Sequence, residues 1–178
     1  FLSGARRQIF VVFAGFLMVE KFGYSVQQIT ILYMINHVIN FFLAPKIGAW
    51  IAKVGEKKAL TLEYLGLIIV FVGYALVESA NIAAALYVID HLFFAMAIAL
   101  KTYFQKIADP KDIASSAGVS FSINHIAAVV IPATFGLIWL YDHSLVFYAG
   151  AGFALLSLAA SQFIKITAYS DKAAFKNS

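Results

Sequence analysis

Cysteine is absent from the 178 residues, which excludes disulfides and thiolate metal sites outright. Charge is scarce: Asp, Glu, Lys and Arg make up 12% of the chain against 62% hydrophobic residues. A soluble domain of this size carries about 25% charged and about 45–50% apolar residues, so this composition, with a mean hydropathy of +0.86, is that of a membrane protein. No Gly-rich loop has the spacing that cradles a nucleotide phosphate, which argues against nucleotide-driven work. There is no HExxH and no pair of histidines four residues apart. Acids number nine against 13 Lys and Arg, but the positive charges are dispersed and form no soluble basic module, so no nucleic-acid partner is expected. The opening FLSGARRQIF lacks a charged n-region, apolar h-region and cleavage site, so it is not a signal peptide. It reads as the interior of a helix, and further chain is expected upstream.

What is present is a series of long apolar runs. A spanning helix needs about 20 mostly apolar residues, and such runs cover about Phe1 to Val19, Val26 to Ala52, Ala59 to Val77, Ile82 to Phe104, Ile113 to Tyr141 and Leu145 to Ile164. The expected fold class is therefore an all-α membrane protein with six transmembrane helices, the bundle occupying residues 1–166 and a polar tail 167–178. The turn EKFGYS carries Gly23, and Ser25 with Gln28 matches a capping box for the second helix. Pro45 is expected to bend that helix, and Pro132 lies inside the fifth. In IADPKD, Asp109-Pro110 reads as a breaker and Asp112 as the N-cap of the fifth helix.

Lysines assign the sides. Lys53, Lys57, Lys58, Lys106, Lys111, Lys165, Lys172 and Lys176 fall in the loops after the second and fourth helices and in the tail, whereas the opposite loops carry Lys21 against Glu20, Glu78 and Asp142. Lys and Arg favour the cytoplasmic side, which puts the C-terminus in the cytoplasm of a plasma membrane, a bacterial inner membrane in the simplest reading. The lysine clusters would meet anionic headgroups of the lipid bilayer.

Against this apolar background, polar pairs stand out. At about 1.5 Å per residue, Asp90-His91 lies about 13 Å deep, near the middle of a hydrocarbon core about 30 Å thick. Asn36-His37, followed by Asn40, and Asn124-His125 reach the same depth, and Arg6-Arg7 lies about 18 Å in from Val19. The third helix offers only Glu63, near its cytoplasmic end, and the sixth only Ser157, Ser161 and Gln162. A charge at the bilayer centre costs at least about 2.5–3.5 kcal/mol on insertion scales, so these groups must face one another or water. Helices one, two, four and five are thus expected around a polar cavity, with three and six outside it. A buried clasp of Asp90 with Arg6 or Arg7 is the plainer alternative for any one position, and Tyr33, Tyr87 and Phe121 near these depths read as packing or as pocket lining.

The loop GAWIAKVGEKKAL resembles the loop signature of the major facilitator superfamily. Gly48, Lys53, Gly55, Lys57 and Lys58 occupy its positions. Ala52 stands where the signature has an acid and Glu56 follows the second glycine, a departure that removes the carboxylate of the family's charge clasp. The resemblance implies a secondary transporter rather than an enzyme, with twelve helices in two halves, this chain being the C-terminal half (helices seven to twelve) and the missing N-terminal half its partner. It also implies that helices seven, eight, ten and eleven face the cavity. The transporter so implied would move a small organic and possibly anionic solute with protons by alternating access. Arg6, Arg7, Asn36, His37, Asn40, Asn124 and His125 are its expected solute-binding residues, arginine being suited to bidentate binding of carboxylate or phosphate. Asp90 and His91 are the expected proton-coupling pair. No cofactor or metal is expected. Two other readings stay open: a multidrug efflux pump of the same superfamily, and an intramembrane haem or metal protein using His37, His91 and His125.

Overall fold

The computed structural model describes residues 1–164, so the tail 167–178 and the lysines Lys165, Lys172 and Lys176 lie outside the described residues. Six helices long and apolar enough to cross a membrane follow one another: α1 Leu2–Phe22, α2 Val26–Val54, α3 Glu56–Leu76, α4 Ala80–Ile107, α5 Pro110–Tyr141 and α6 His143–Gln162. Each run of apolar residues became a helix, and most helices extend a few residues past the apolar run into polar sequence, where caps rather than hydropathy set the ends.

Those caps are identifiable. Gly23 closes α1 in the left-handed region at φ 68°, and Gly55 turns the chain between α2 and α3 at φ 87°, conformations that glycine adopts without strain. The capping box forms as expected: the Ser25 hydroxyl accepts from the Gln28 N–H at 3.2 Å, and the Gln28 side chain accepts from the Ser25 N–H at 2.8 Å. At α5 the expected cap is corrected. Asp109, not Asp112, is the N-cap, accepting from the Lys111 N–H at 3.2 Å, because Pro110 fits the first helical position, where its fixed φ suits and its missing N–H is not needed. Asp142 caps α6 through the Ser144 N–H at 2.8 Å.

Two helices are irregular at functional depth. α1 contains a π-helical stretch, Ile9–Ala14, immediately after Arg6-Arg7, and α4 breaks at Met96-Ala97 between Ala80–Ala95 and Ile98–Ile107. Extra-residue turns of this kind re-aim the side chains beside them.

The most extensive helix pair is α3 with α6, while α1 packs on α5 and α6, and α4 on α2 and α3. Between helices in lipid, close packing takes the place of the hydrophobic effect. Here it rests on Phe10, Phe71, Tyr74 and Phe147, all at most 2% exposed. Tyr74 stacks on Phe147 with centroids 5.1 Å apart, and Phe10 reaches Tyr74, Tyr87 and Phe94. α3, expected on the outside, is the most enclosed helix: 56% of its apolar window is buried, against 6% for α2 and 17% for α5. The open side of the bundle therefore belongs to α2 and α5.

Polar contacts tie the loops at both ends. At the Gly23 end Lys21 donates to the Val77 carbonyl at 2.8 Å and Tyr24 to that of Ala80 at 3.1 Å. At the Gly55 end Lys57 donates to the Gln162 carbonyl at 2.8 Å, and Glu56 pairs with Lys106. The acid that departs from the loop signature thus makes a clasp of its own, between the start of α3 and the end of α4. Gly48 of the loop signature faces open space.

One glycine is required by close approach. A Cβ on Gly150 would stand 2.8 Å from the Phe71 ring, which is fully buried and has no room to move. Gly150→Ala is expected to destabilise the bundle by about 1–3 kcal/mol through overpacking, read as a lowered unfolding temperature in detergent. Gly152→Ala, where nothing lies nearby, is the matched control and is expected not to lower it.

Candidate functional site

The polar residues of the bundle fall into an enclosed cluster and an open face. In the enclosed cluster α1 supplies Arg6, α3 Glu63 and α4 Asp90, each at most 1% exposed. The Arg6 Nη1 lies 3.9 Å from Glu63 Oε1, an ion pair without a short hydrogen bond. The guanidinium also lies 4.6 Å from the centroid of the Tyr64 ring, where the ring's negative face attracts it. Arg6 Nε donates to the Leu2 carbonyl at 3.4 Å. Both oxygens of Asp90, Oε2 of Glu63 and Nη1 of Arg6 lack hydrogen-bond partners among the described residues. Such a set is under tension, because an unmade hydrogen bond in a dry interior costs about 1–3 kcal/mol and more for a charged group. Asn36 closes the cluster toward α2. It is 1% exposed and donates to the Tyr87 carbonyl at 3.4 Å.

Arg7, His37, Asn124 and His125 are exposed, and Asn40 and His91 are half-buried between the two zones. The His91 imidazole lies 5.2 Å from the Phe10 ring of α1 and 6.5 Å from the Tyr33 ring of α2. Gly4 of α1 abuts Asn124, whose Oδ1 would stand 2.5 Å from an added Cβ. Arg7, one turn further along α1, is thereby placed beside α5.

The nine polar residues expected around one cavity divide by burial. Arg6, Asn36 and Asp90 point into the bundle, whereas Arg7, His37, Asn124 and His125 lie on its open side. Tyr87 is buried, at 7% exposure, while Tyr33 and Phe121 are 50% and 64% exposed.

Glu63 is the residue that depth counting misplaced. With α3 taken to begin at Ala59, Glu63 sat one turn from the end; the helix begins at Glu56, which carries Glu63 about two turns in, to the level of Arg6. The available signal was the isolation of a single acid in the apolar length of α3. Of the loop motif, Gly55 makes the turn, Lys57 is bonded as above, and Lys53 and Lys58 are exposed.

Among the described residues no three of His, Asp and Glu converge as a metal site. A lateral groove of about 590 Å³ lies nearer the Gly23 end, lined by Val12, Phe16, Glu20, Ile29 and Trp139 among others. There Trp139 Nε1 donates to Glu20 at 2.7 Å.

The family model described as the Major Facilitator Superfamily matches residues 1–132. No curated protein and no solved structure matches the chain.

Arg6→Met would leave Glu63 and Asp90 buried without their cation. Breaking a buried ion pair in this way costs about 3–5 kcal/mol, so a large drop in unfolding temperature in detergent is expected. Adding Glu63→Gln and Asp90→Asn should restore most of the loss, and Arg7→Met should cause little. A loss that neutralising the carboxylates does not relieve would show that Arg6 acts through packing alone.

Proposed function

The chain belongs to the Major Facilitator Superfamily, and on that footing we propose that it forms the C-terminal half of a proton-coupled secondary transporter for a small organic anion. One observation carries the coupling: the enclosed guanidinium of Arg6 pairs with Glu63, while the second enclosed carboxylate, Asp90, has no hydrogen-bond partner among the described residues. One cation balances one carboxylate. In a dry interior the second charge is costly to hold, and one proton on the carboxylate pair completes the balance.

Alternating access then follows from charge. When the bundle opens to one side, the carboxylate pair exchanges its proton with that solution. A loaded, neutral cluster permits the transporter to close around it, while an unloaded cluster disfavours the closed state. A ligand or proton moves such an equilibrium only by its differential affinity for the two states. Asp90 and Glu63 hold the proton, and Arg6 is their internal counter-ion rather than a ligand of the solute. His91 lies between the cluster and the open face, in position to relay a proton. Solute binding falls to Arg7, His37, Asn124 and His125, with Asn40 beside them, while Asn36 holds α2 to α4.

The open faces of α2 and α5 are where an upstream six-helix half would pack, enclosing the solute near the midplane as in other transporters of repeated halves. Lys53, Lys57, Lys58, Lys106 and Lys111 put the Gly55 end in the cytoplasm, consistent with a bacterial inner membrane.

The lateral groove favours a second reading, efflux of lipophilic cations, since it joins aromatic rings to the Glu20 carboxylate.

Full-length protein in proteoliposomes separates the two. A panel of organic anions, sugars and lipophilic cations is offered under an imposed pH gradient while internal pH is followed. Anion pulses are expected to move protons, and Asp90→Asn or Glu63→Gln should abolish that movement while solute exchange across equal pH persists. Proton movement driven by cations and lost on Glu20→Gln would favour efflux. Coupling that survives both carboxylate variants would refute the proton role of the cluster.

A further inference from the structure

Three stretches of the chain repeat one pattern: Tyr33-Met34-Ile35-Asn36-His37 in α2, Tyr87-Val88-Ile89-Asp90-His91 in α4 and Phe121-Ser122-Ile123-Asn124-His125 in α5. Each reads aromatic, any residue, isoleucine, Asn or Asp, histidine. The geometry repeats too. The imidazole Nδ1 lies 2.9, 3.1 and 3.0 Å from the backbone carbonyl of the aromatic residue one turn earlier. The ring lies against that same aromatic side chain, with centroids 4.1, 5.1 and 3.9 Å apart. A carbonyl only accepts, so each Nδ1 carries the hydrogen and each Nε2 is the nitrogen left for another partner. The fourth histidine, His143, also follows an aromatic residue and an aspartate. There Asp142 ends the helix and caps the next, which takes His143 out of the series.

The fourth position of each repeat touches a neighbouring helix or is enclosed: Asn36 bonds the Tyr87 carbonyl, Asp90 is enclosed, and Asn124, though exposed, abuts Gly4. The histidines of α2 and α5 and their aromatic partners are left on the open side, and the α4 copy lies behind them. The Tyr33 ring lies 6.5 Å from the His91 imidazole, and Phe10, one turn after Arg7, lies 5.2 Å from it, while Arg7 itself follows Gly4 by one turn. These groups therefore share one surface.

We infer that the three repeats together with Arg7 form the solute-binding surface, and that the solute is an aromatic carboxylate. This rests on the transport reading above and deepens it. Arg7 is an exposed guanidinium whose planar fork matches a carboxylate. Arg6 is unavailable for that role because Glu63 and Tyr64 hold it. An imidazole Nε2 presents a lone pair when neutral and an N–H when protonated, so it repels a carboxylate in the first state and donates to it in the second. Tyr33 and Phe121, each covered on one side by its own histidine and at least half exposed, present ring surface to the aromatic body in an offset stack. The charged and titratable groups facing this surface are Arg7 from α1, Tyr33 and His37 from α2, Tyr87 and His91 from α4 and His125 from α5. Glu63 and Asp90 are enclosed, so among the described residues the surface has no carboxylate of its own for a cation or a sugar hydroxyl. Anion binding and protonation of the histidines then reinforce each other, and affinity rises as pH falls.

Calorimetric titration of the full-length protein in detergent tests this with benzoate as the probe, at about pH 5 and about pH 8, on either side of the usual histidine range. Benzoate should bind at least about tenfold more tightly at the lower pH, since one linked proton changes affinity by up to about tenfold per pH unit. Cyclohexanecarboxylate should bind several-fold more weakly than benzoate, and benzamide not at all. The double variant His37→Gln with His125→Gln should lose most of the pH dependence while unfolding at the wild-type temperature, because both side chains are exposed. Arg7→Gln should abolish binding at both pH values. Failure of benzoate to bind, equal binding of benzamide, or an unaltered pH dependence in the double variant would overturn the inference. If the proteoliposomes show anion-driven proton movement while benzoate is not bound, the assignment of the solute falls and the transport reading stands.

Discussion

Arg6 is the group around which the interior of this bundle is arranged. A guanidinium cannot give up its proton in a protein, so once it is enclosed the surroundings must supply its counter-charge. Glu63 on α3 supplies it at 3.9 Å, with the Tyr64 ring against the guanidinium and the Asp90 carboxyl of α4 enclosed as well. That requirement fixes the packing. It draws α3 into the middle of the bundle, where it meets α1 and α4 and lays its other side on α6. The π-helical stretch that follows in α1 falls on the turn just after Arg6 and Arg7, the point at which one arginine is directed inward and the next outward.

The same division runs through two other polar pairs. Neighbouring residues on a helix point about 100° apart, which lets the two members of a pair fall in different zones, whereas Asn124 and His125 are both exposed. Arg6, Asn36 and Asp90 are enclosed, and their successors Arg7, His37 and His91 turn toward the open side. Each such pair thereby links the inner charge system, where we propose the proton is held, to the outer surface, where we propose the solute binds. The link is covalent and one residue long, and it needs no further relay of side chains to couple the two.

The sequence made part of this legible. Length and hydropathy located six helices, and the capping box at Ser25 and the turn at Gly55 followed from local chemistry that does not depend on tertiary contacts. The family resemblance of the Gly48–Leu60 loop agreed with the match over residues 1–132. Counting residues inward from the helix ends gave the depth of the polar pairs but not their azimuth. A single level of nine cavity-facing residues was therefore the natural expectation, and the split into two zones was not. The N-cap at Asp109 was missed because Asp112 has equal intrinsic capping ability, and only the fit of Pro110 to the first turn separates them. Glu63 was missed because a three-residue error in a helix start is a 4.5 Å error in depth, about the size of a helical turn. The aromatic-to-histidine repeat is present in the sequence and becomes conspicuous only when the imidazole bonds line up.

The central claim is that one proton on the carboxylate pair completes the charge balance around Arg6. Infrared difference spectroscopy of the full-length protein in lipid nanodiscs, recorded across a pH jump, observes it directly through the C=O stretch of a protonated carboxyl group. A band that appears on acidification, exchanges in heavy water, and is shifted or lost in both Asp90→Asn and Glu63→Gln is the predicted result. A spectrum in which no carboxyl band responds to pH, or in which the responding band survives both substitutions, would contradict it.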